Sequence, residues 1–405
     1  MKINDIIMEA GEDDLPSGAK TMNGLTVIPL AAFLKGDSET DESVNEAPGD
    51  EFGLGARIRN ASDDEMKAYM QRVKDKKEIR QAGEKNTDKE TKKDKYKMPF
   101  LHPSNIKIKD ENGKDFDLDA LRADIMQRPN KITTQNQKMQ HSDGTSSVFL
   151  NVGLPALKGL AVNEKTGDFV IVDTCPGAGA CQTFCYAMKG SYVMFKAVSM
   201  NQTRLLNYLL NDPDGFAAEM DAEIRLAQAK NRGTQLKVRW HDAGDFFSQE
   251  YLDVAYKIAR ANPKVLFYAY TKMSGIAAGE KPENFLMNFS GGAKPQQQKG
   301  VDFEKTKHSR VVPNSMFWDL IVKKGSKPVK DAKGRMHFAS QENLNTFKQR
   351  IGNTFHVDPK SVLTYDEMMS TKDSGEPKWN VIVMPGDGDD SAARKDVIGT
   401  YLLFH

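Results

Sequence analysis

From about residue 98 onward, short apolar runs alternate with stretches in which apolar residues recur every three or four positions. The runs Asp168–Val172, Leu236–Trp240, Val265–Tyr270, Phe285–Phe289, Met336–Ala339 and Trp379–Met384 predict strands. Residues 191–211, 216–230 and 249–260 predict amphipathic helices, with Asp212-Pro213-Asp214-Gly215 as the break between the first two. Strands alternating with helices predict an α/β domain built on a parallel sheet or barrel, with functional loops after the strands. In the run 265–270, alternation puts Leu266, Tyr268 and Tyr270 on one face, where the tyrosines line or fill the interior.

The chain before residue 98 reads differently. Residues 1–66 hold 15 acidic and 5 basic residues around one apolar island, Leu25 to Leu34, and predict a poorly packed acidic arm. Residues 67–97 reverse the balance to 12 basic against 6 acidic, and apolar side chains nearly vanish after Gln81. Such a segment buries too little to offset its ordering entropy, which predicts a solvated helix or flexible linker. The expected organisation is therefore an arm, 1–66, a charged linker, 67–97, and one domain, 98–405.

Over 405 residues, 57 Lys plus Arg balance 56 Asp plus Glu, so the net charge of +1 supplies no global attraction to nucleic acid or anionic lipid. No run of 18 apolar residues predicts a membrane span, and the N-terminal stretch turns acidic too early for a secretory signal. No phosphate-binding loop or Gly-x-Ser-x-Gly elbow occurs, which disfavours ATP chemistry and serine hydrolysis.

All three cysteines, Cys175, Cys181 and Cys185, fall within eleven residues. They lie on a Gly-rich stretch between a predicted strand and a predicted helix. An odd count argues against a disulfide scaffold. Three thiolates on one loop are a soft-metal donor set, and glycines let the loop fold tightly and turn amide N–H groups inward. Three readings stay open: an iron–sulfur cluster with one free iron, a zinc site completed by a histidine such as His241, and buried thiols without metal.

The loop resembles that of the radical S-adenosylmethionine (SAM) superfamily, in which three cysteines follow the first strand of an α/β barrel and an aromatic residue, here Tyr186, adjoins the last. The usual spacing there is Cys-x3-Cys-x2-Cys, and this chain has five and three intervening residues. Longer strings are similar to the phage gene product 88 family, whose function is unassigned: KITTQNQKM, LNVGLPAL, TCPGAGAC with CYAMKGSY, VRWHDAGDFFSQEYL and LFYAYTK, between Lys131 and Lys272. The resemblance implies a radical-SAM-like partial (β/α) barrel preceded by a charged, partly disordered N-terminal arm. It further implies a four-iron four-sulfur cluster on the three cysteines, SAM on the open iron, and an external electron donor. Relatives with further C-terminal cysteines carry more than this chain, so a second cluster is not expected.

His241, Asp242 and Asp245 follow the predicted strand 236–240, where such folds build sites. In the resemblance, Asp242 or Asp245 holds the SAM ribose or amino group and His241 faces substrate. From the residues alone, Asp245 reads equally as a cap for the helix near Ser248, and the trio also reads as a hydrolytic metal site. Lys272 ends the next strand and reads as a contact to the SAM carboxylate or a substrate phosphate, or as an exposed lysine. Glu342 and Asn343 are SAM contacts by resemblance only, and otherwise the first turn of a helix. Ile7-Met8-Glu9 before Ala10 resembles the cleavage signal of capsid-targeting peptides in T-even-like phages, which predicts packaging in the phage head; the same residues also read as an amphipathic first helix.

The expected function is a phage radical-SAM-like iron–sulfur enzyme of the host cytoplasm, acting on nucleic acid or peptide. One alternative is a packaged, non-catalytic binding protein stabilised by zinc or a cluster. Another is a metal-dependent nuclease using His241, Asp242 and Asp245.

Overall fold

The computed structural model describes residues 117–135, 147–183, 185–188, 192, 195–321, 323–324, 327–328, 330–331 and 335–403, with the backbone of 20–22 and 25–29. The linker 67–97, the peptide 1–9 and the side chain of Tyr186 lie outside the described residues.

Two short strands, β1 (Lys20–Met22) and β2 (Leu25–Pro29), precede helix α1 (Leu118–Met126). Strand β3 (Ser147–Val152) is followed by a hairpin of β4 (Lys158–Val162) and β5 (Phe169–Asp173), and then by the cysteine loop. Next come α2 (Lys196–Asn211), α3 (Pro213–Lys230), β6 (Gln235–Trp240), α4 (Gln249–Ala261) and β7 (Leu266–Thr271). They lead to α5 (Ser274–Ala278), β8 (Phe285–Ser290), α6 (Pro295–Lys299) and β9 (His308–Val311). A small ribbon, β10 (Lys323–Lys324) and β11 (Lys327–Pro328), precedes α7 (Gln341–Phe355), β12 (Val362–Thr364), α8 (Tyr365–Met369), β13 (Trp379–Val383) and β14 (Val397–Leu402).

The centre is an eight-stranded sheet of order β12-β13-β14-β9-β8-β7-β6-β3, in which every neighbouring pair is parallel. Chain order and spatial order agree from β3 through β9, as in a winding barrel. They then part, because β14 sits between β9 and β13. The expected α/β class with a parallel sheet holds. The described strands leave the sheet open at β3 and β12, without a sequential barrel closure.

Apolar alternation decides which face each helix covers. Leu150, Val152, Val238, Trp240, Phe267, Ala269, Phe285 and Met287 form one core with Leu205, Phe216 and Met220 of α2 and α3 and with Leu252, Ala255 and Ile258 of α4. Helix α3 begins where Asp212 accepts the Gly215 amide and Pro213 occupies the first turn, and α4 begins where Ser248 accepts the Tyr251 amide. The cap of α4 is therefore Ser248 and not Asp245.

A second sheet of order β1-β2-β5-β4 is antiparallel throughout. The apolar island of the acidic arm thus pairs with the chain, Val27 opposite Val172 and Ile28 opposite Ile171. Leu160, Val162, Phe169 and Ile171 of the hairpin pack on Leu121 and Ile125 of α1 and Met200 of α2. The expected strand Met336–Ala339 is absent: Met336 and Phe338 form only isolated bridges, to Lys330 and Ile321. No helix is long and apolar enough to cross a membrane, among the described residues.

Candidate functional site

Strand β5 belongs to the antiparallel sheet, yet the loop it feeds runs across the carboxyl ends of the parallel strands. Beside the segment after β3, Thr174 donates its amide to the Leu157 carbonyl and its hydroxyl to the Pro155 carbonyl, and the Leu157 amide donates to the Cys175 Sγ at 3.3 Å. Beside β6, the Asp245 amide donates to the Thr174 carbonyl at 2.8 Å. Beyond β7 and β8, the Lys294 amide donates to the Gly177 carbonyl, and Ala178 forms a bridge with Ala293. The Gly179 amide donates to the Gly292 carbonyl, and so does the Cys181 amide.

Two glycines are required by this crossing. A Cβ at Gly177 would stand 2.6 Å from the Lys272 carbonyl oxygen, and one at Gly179 would stand 2.6 Å from that of Ala293. Backbone cannot retreat from such contacts as a side chain can. The loop closes in two 3-10 turns, Ala180–Thr183 and Tyr186–Met188, which carry Cys181 and lead away from Cys185.

All three thiols are half-buried. Burial pushes the Cys175 thiol up, reinforced by the Asp245 carboxylate. Burial also pushes Cys181 up, with the Lys272 ammonium opposing and Cys185 reinforcing. Burial thus favours the neutral thiols of Cys175 and Cys181, and a cation beside them would favour the thiolates. Among the described residues, no group of three or more His, Cys, Asp and Glu stands close enough together to hold a metal ion.

The Trp240-His241-Asp242-Ala243-Gly244-Asp245 run disperses its three ionisable side chains. His241 adopts φ +66°, which turns its ring into the core. There it lies 4.4 Å from Phe246, centroid to centroid, and its Nε2 pairs with the Tyr251 hydroxyl at 2.7 Å. Burial lowers its pKa to about 3, aided by Arg239. His241 is thus a core residue, and it does not face the cysteine loop as the substrate-facing and zinc-ligand expectations require.

Asp242 remains at the loop. Its Oδ2 accepts from the Tyr192 hydroxyl at 3.0 Å, while its buried Oδ1 has no hydrogen-bond partner. Gly153 makes room for that oxygen, since a Cβ there would lie 1.9 Å away. Tyr192 and Cys185 pack on the same small apolar cluster, Ala156, Ala187 and Ala243.

Asp245 is a clasp. Its carboxylate accepts the amides of Phe246 at 2.7 Å and Lys272 at 2.8 Å, tying the ends of β6 and β7 together. Burial nevertheless pushes its pKa up to about 6. Lys272 extends to the Ser290 hydroxyl at 2.7 Å and the Gly291 carbonyl at 3.0 Å, beside the Cys181 turn. Glu342 and Asn343 form the first turn of α7, Glu342 exposed and the Asn343 side chain donating to the Leu320 carbonyl. Among the described residues, none of their hydrogen bonds reaches the cysteine loop.

The opposite face of the sheet carries a polar group that the strand patterns did not disclose. Residues 384–396, between β13 and β14, lay their short 3-10 turn, Asp390–Ala393, against it. Asp389 accepts from Arg239 at 2.9 Å, Tyr268 at 2.9 Å and Tyr270 at 2.6 Å. Asp390 accepts from Lys237 at 3.2 Å and Tyr365 at 2.7 Å. The signal was the alternation of Lys237 and Arg239 inside an apolar strand, but their partners lie about 150 residues away.

A parallel α/β sheet with a three-cysteine loop drawn across its carboxyl edge defines a class of α/β protein with a candidate thiolate centre. The family model of gene product 88 matches residues 125–356, more than half of the chain. The chain belongs to the gene product 88 family of bacteriophage proteins. The Gene 88 protein of Mycobacterium phage L5 is 29% identical over 222 residues, covering 48% of this chain and 87% of its own length. The Gene 88 protein of Mycobacterium phage D29 is 29% identical over 168 residues, covering 40% of this chain and 64%, less than two thirds, of its own. No solved structure matches. The matched span includes the cysteine loop, Asp242, Asp245 and Lys272, and ends before β12.

Proposed function

We propose that the protein is a radical-SAM-like iron–sulfur enzyme, with Cys175, Cys181 and Cys185 as ligands of a four-iron four-sulfur cluster. The observation that carries this reading is the course of one loop with three half-buried thiols over the carboxyl ends of four parallel strands, where α/β sheets build their sites. The donor chemistry fits: soft thiols, an amide aimed at the Cys175 sulfur, and an ammonium that favours the Cys181 thiolate. Ligation requires Cys185 and the short turn bearing Cys181 to draw together. Bound there, a cluster with SAM on its open iron would supply one-electron cleavage of SAM and hydrogen abstraction from a substrate, with the electron from an external donor.

The chain's own residues have separate tasks. Asp242 offers its unpartnered Oδ1 to an ammonium or a ribose hydroxyl, held in orientation by Tyr192. Lys272 places positive charge beside Cys181. Asp245 holds the ends of β6 and β7 in register with the loop and acts as a positioning residue. Ala156, Ala187 and Ala243 limit water beside Cys185.

The nuclease alternative has no comparable support, because His241 points into the core and Asp245 is engaged by backbone amides. The test is anaerobic reconstitution with iron and sulfide, followed by metal analysis of the wild type and of a Cys175→Ala, Cys181→Ala, Cys185→Ala variant. About four irons in the wild type and none in the variant is the expected result. Stoichiometric zinc, or no metal, would overturn the reading in favour of a binding protein.

A further inference from the structure

Two apolar cores share the helix-covered face of the central sheet and do not merge. Phe267, Phe285 and Phe289 belong to the core under α2 to α4, and Phe347, Ile382 and Tyr401 to the core under α7. The seam between them runs along β9. Parallel register sets His308 beside Phe289 on one side and Gly399 on the other, and Arg310 beside Tyr401, so His308 and Arg310 are the residues β9 turns to this face. Polar side chains inside a sheet cost free energy unless something pairs with them.

The guanidinium of Arg310 stacks on the Phe303 ring at 3.5 Å and lies 5.0 Å from the Phe355 ring. No hydrogen bond or ion pair engages it among the described residues. Burial holds its pKa below the ordinary arginine value, with Tyr401 acting the other way. A guanidinium stacked on a ring keeps its in-plane N–H fork free. Tyr401 is fully buried with its ring 4.9 Å from Phe355, and its hydroxyl has no hydrogen-bond partner. The His308 Nδ1 lies 3.0 Å from the Thr306 carbonyl, which makes Nδ1 the donor and leaves Nε2 an acceptor without a partner. Asn380 donates Nδ2 to the Ser361 hydroxyl at 3.0 Å, and its Oδ1 is likewise unpartnered. Both acceptors converge over Gly399, where a Cβ would collide with the Asn380 oxygen and lie 3.0 Å from the His308 Nε2. Buried polar groups are ordinarily paired, yet on this one face of β9, β14 and β13 four side chains leave groups unpaired.

We propose that this seam binds a small aromatic monocarboxylate, its carboxylate on the Arg310 fork and the Tyr401 hydroxyl and its ring against Phe303 and Phe355. A planar fork pairs bidentately with a planar carboxylate. Charge favours that head group over a phosphate monoester: Arg310 brings one positive charge, and burial keeps His308 neutral by lowering its pKa to about 4. The two acceptors over Gly399 tolerate a neutral hydrogen-bond donor and oppose a second anion. Arg310, Phe303 and Phe355 are half-buried, so the guanidinium is open to solvent. Phe355 is the last residue of α7 and the ring that a ligand displaces to reach the Tyr401 hydroxyl. The cysteine loop crosses β3, β6, β7 and β8, so the seam is a separate place and its binding does not rest on the iron–sulfur reading.

The test uses the full chain before any iron is added. Benzoate is titrated by saturation-transfer NMR, beside benzamide, which keeps the ring without the charge, and phenyl phosphate. Benzoate should bind saturably and at least about ten-fold more tightly than benzamide. Arg310→Gln should weaken benzoate about ten-fold or more, and Tyr401→Phe roughly three- to ten-fold. Both variants should melt close to the wild type, since neither group has a hydrogen bond to lose in the free protein. Should Arg310→Gln fail to fold, Tyr401→Phe, which keeps the core ring, carries the same comparison. No saturable benzoate binding, equal affinity for benzamide, or undiminished binding in the folded variants would overturn the proposal. Tighter binding of phenyl phosphate would overturn it in favour of a phosphate site.

Discussion

His241 is held at φ +66° with its ring against Phe246 and its Nε2 on Tyr251, so it must stay neutral while the chain is folded. Its folded pKa of about 3 lies below the ordinary 6.5, and His308 shows the same direction, at about 4. In the window between those values and 6.5 the unfolded chain binds more protons, so stability is complete above pH 6.5 and is lost as pH falls. Each histidine should contribute about 1–2 kcal/mol to the difference between melts at pH 7 and pH 5, offset in part by Asp245, whose raised pKa of about 6 acts in the opposite direction. In a His241→Phe variant the acid loss should shrink even though the pH 7 stability also drops, because the Tyr251 hydroxyl loses its partner. A second prediction at this scale concerns Gly179. An alanine there must push the loop off the Ala293 carbonyl, and the labelling rate of the three thiols by a thiol reagent should rise several-fold.

Among the elements, α3 fastens the segment ahead of β3. The Glu223 carboxylate accepts the Ile132 amide at 2.8 Å, the Thr133 amide at 2.8 Å and the Thr133 hydroxyl at 2.6 Å. Glu223→Ala should cost about 2–3 kcal/mol in a denaturant melt and Glu223→Gln less, since one acceptor oxygen remains. Strands β6, β7, β8 and β13 and helices α2 to α4 were readable from apolar spacing, because each buries a face long enough to leave a pattern. Strand β9, with His308 and Arg310, and β14, with Gly399 and Thr400, were not, because polar residues fill a buried sheet there. Met336 and Phe338 read as a strand but find only single bridge partners. The cysteine cluster was readable because its members are neighbours in sequence. The grip of Arg239, Tyr268 and Tyr270 on Asp389 was not, since nothing local links residues so far apart. Nor could spacing show that one backbone angle would turn His241 inward.

At the scale of the molecule, residues 384–396 fill one face of the sheet and are fastened by Lys307. Its ammonium donates to the carbonyls of Ser391, Arg394 and Val397. Lys307→Met would leave three buried carbonyls unpaired, and about 2–4 kcal/mol of stability should be lost. Amide hydrogen exchange at residues 389–397 should quicken well before the remainder of the sheet loosens. The position of β14 carries a different consequence. Of the described strands it is the last to leave the ribosome, yet its place lies between β9 and β13. Until it emerges, the nascent chain presents two bare strand edges, each able to pair with another chain. The sheet can therefore be completed only after β14 has been synthesised, which makes a translation product stalled before it a candidate for aggregation and a client for chaperones.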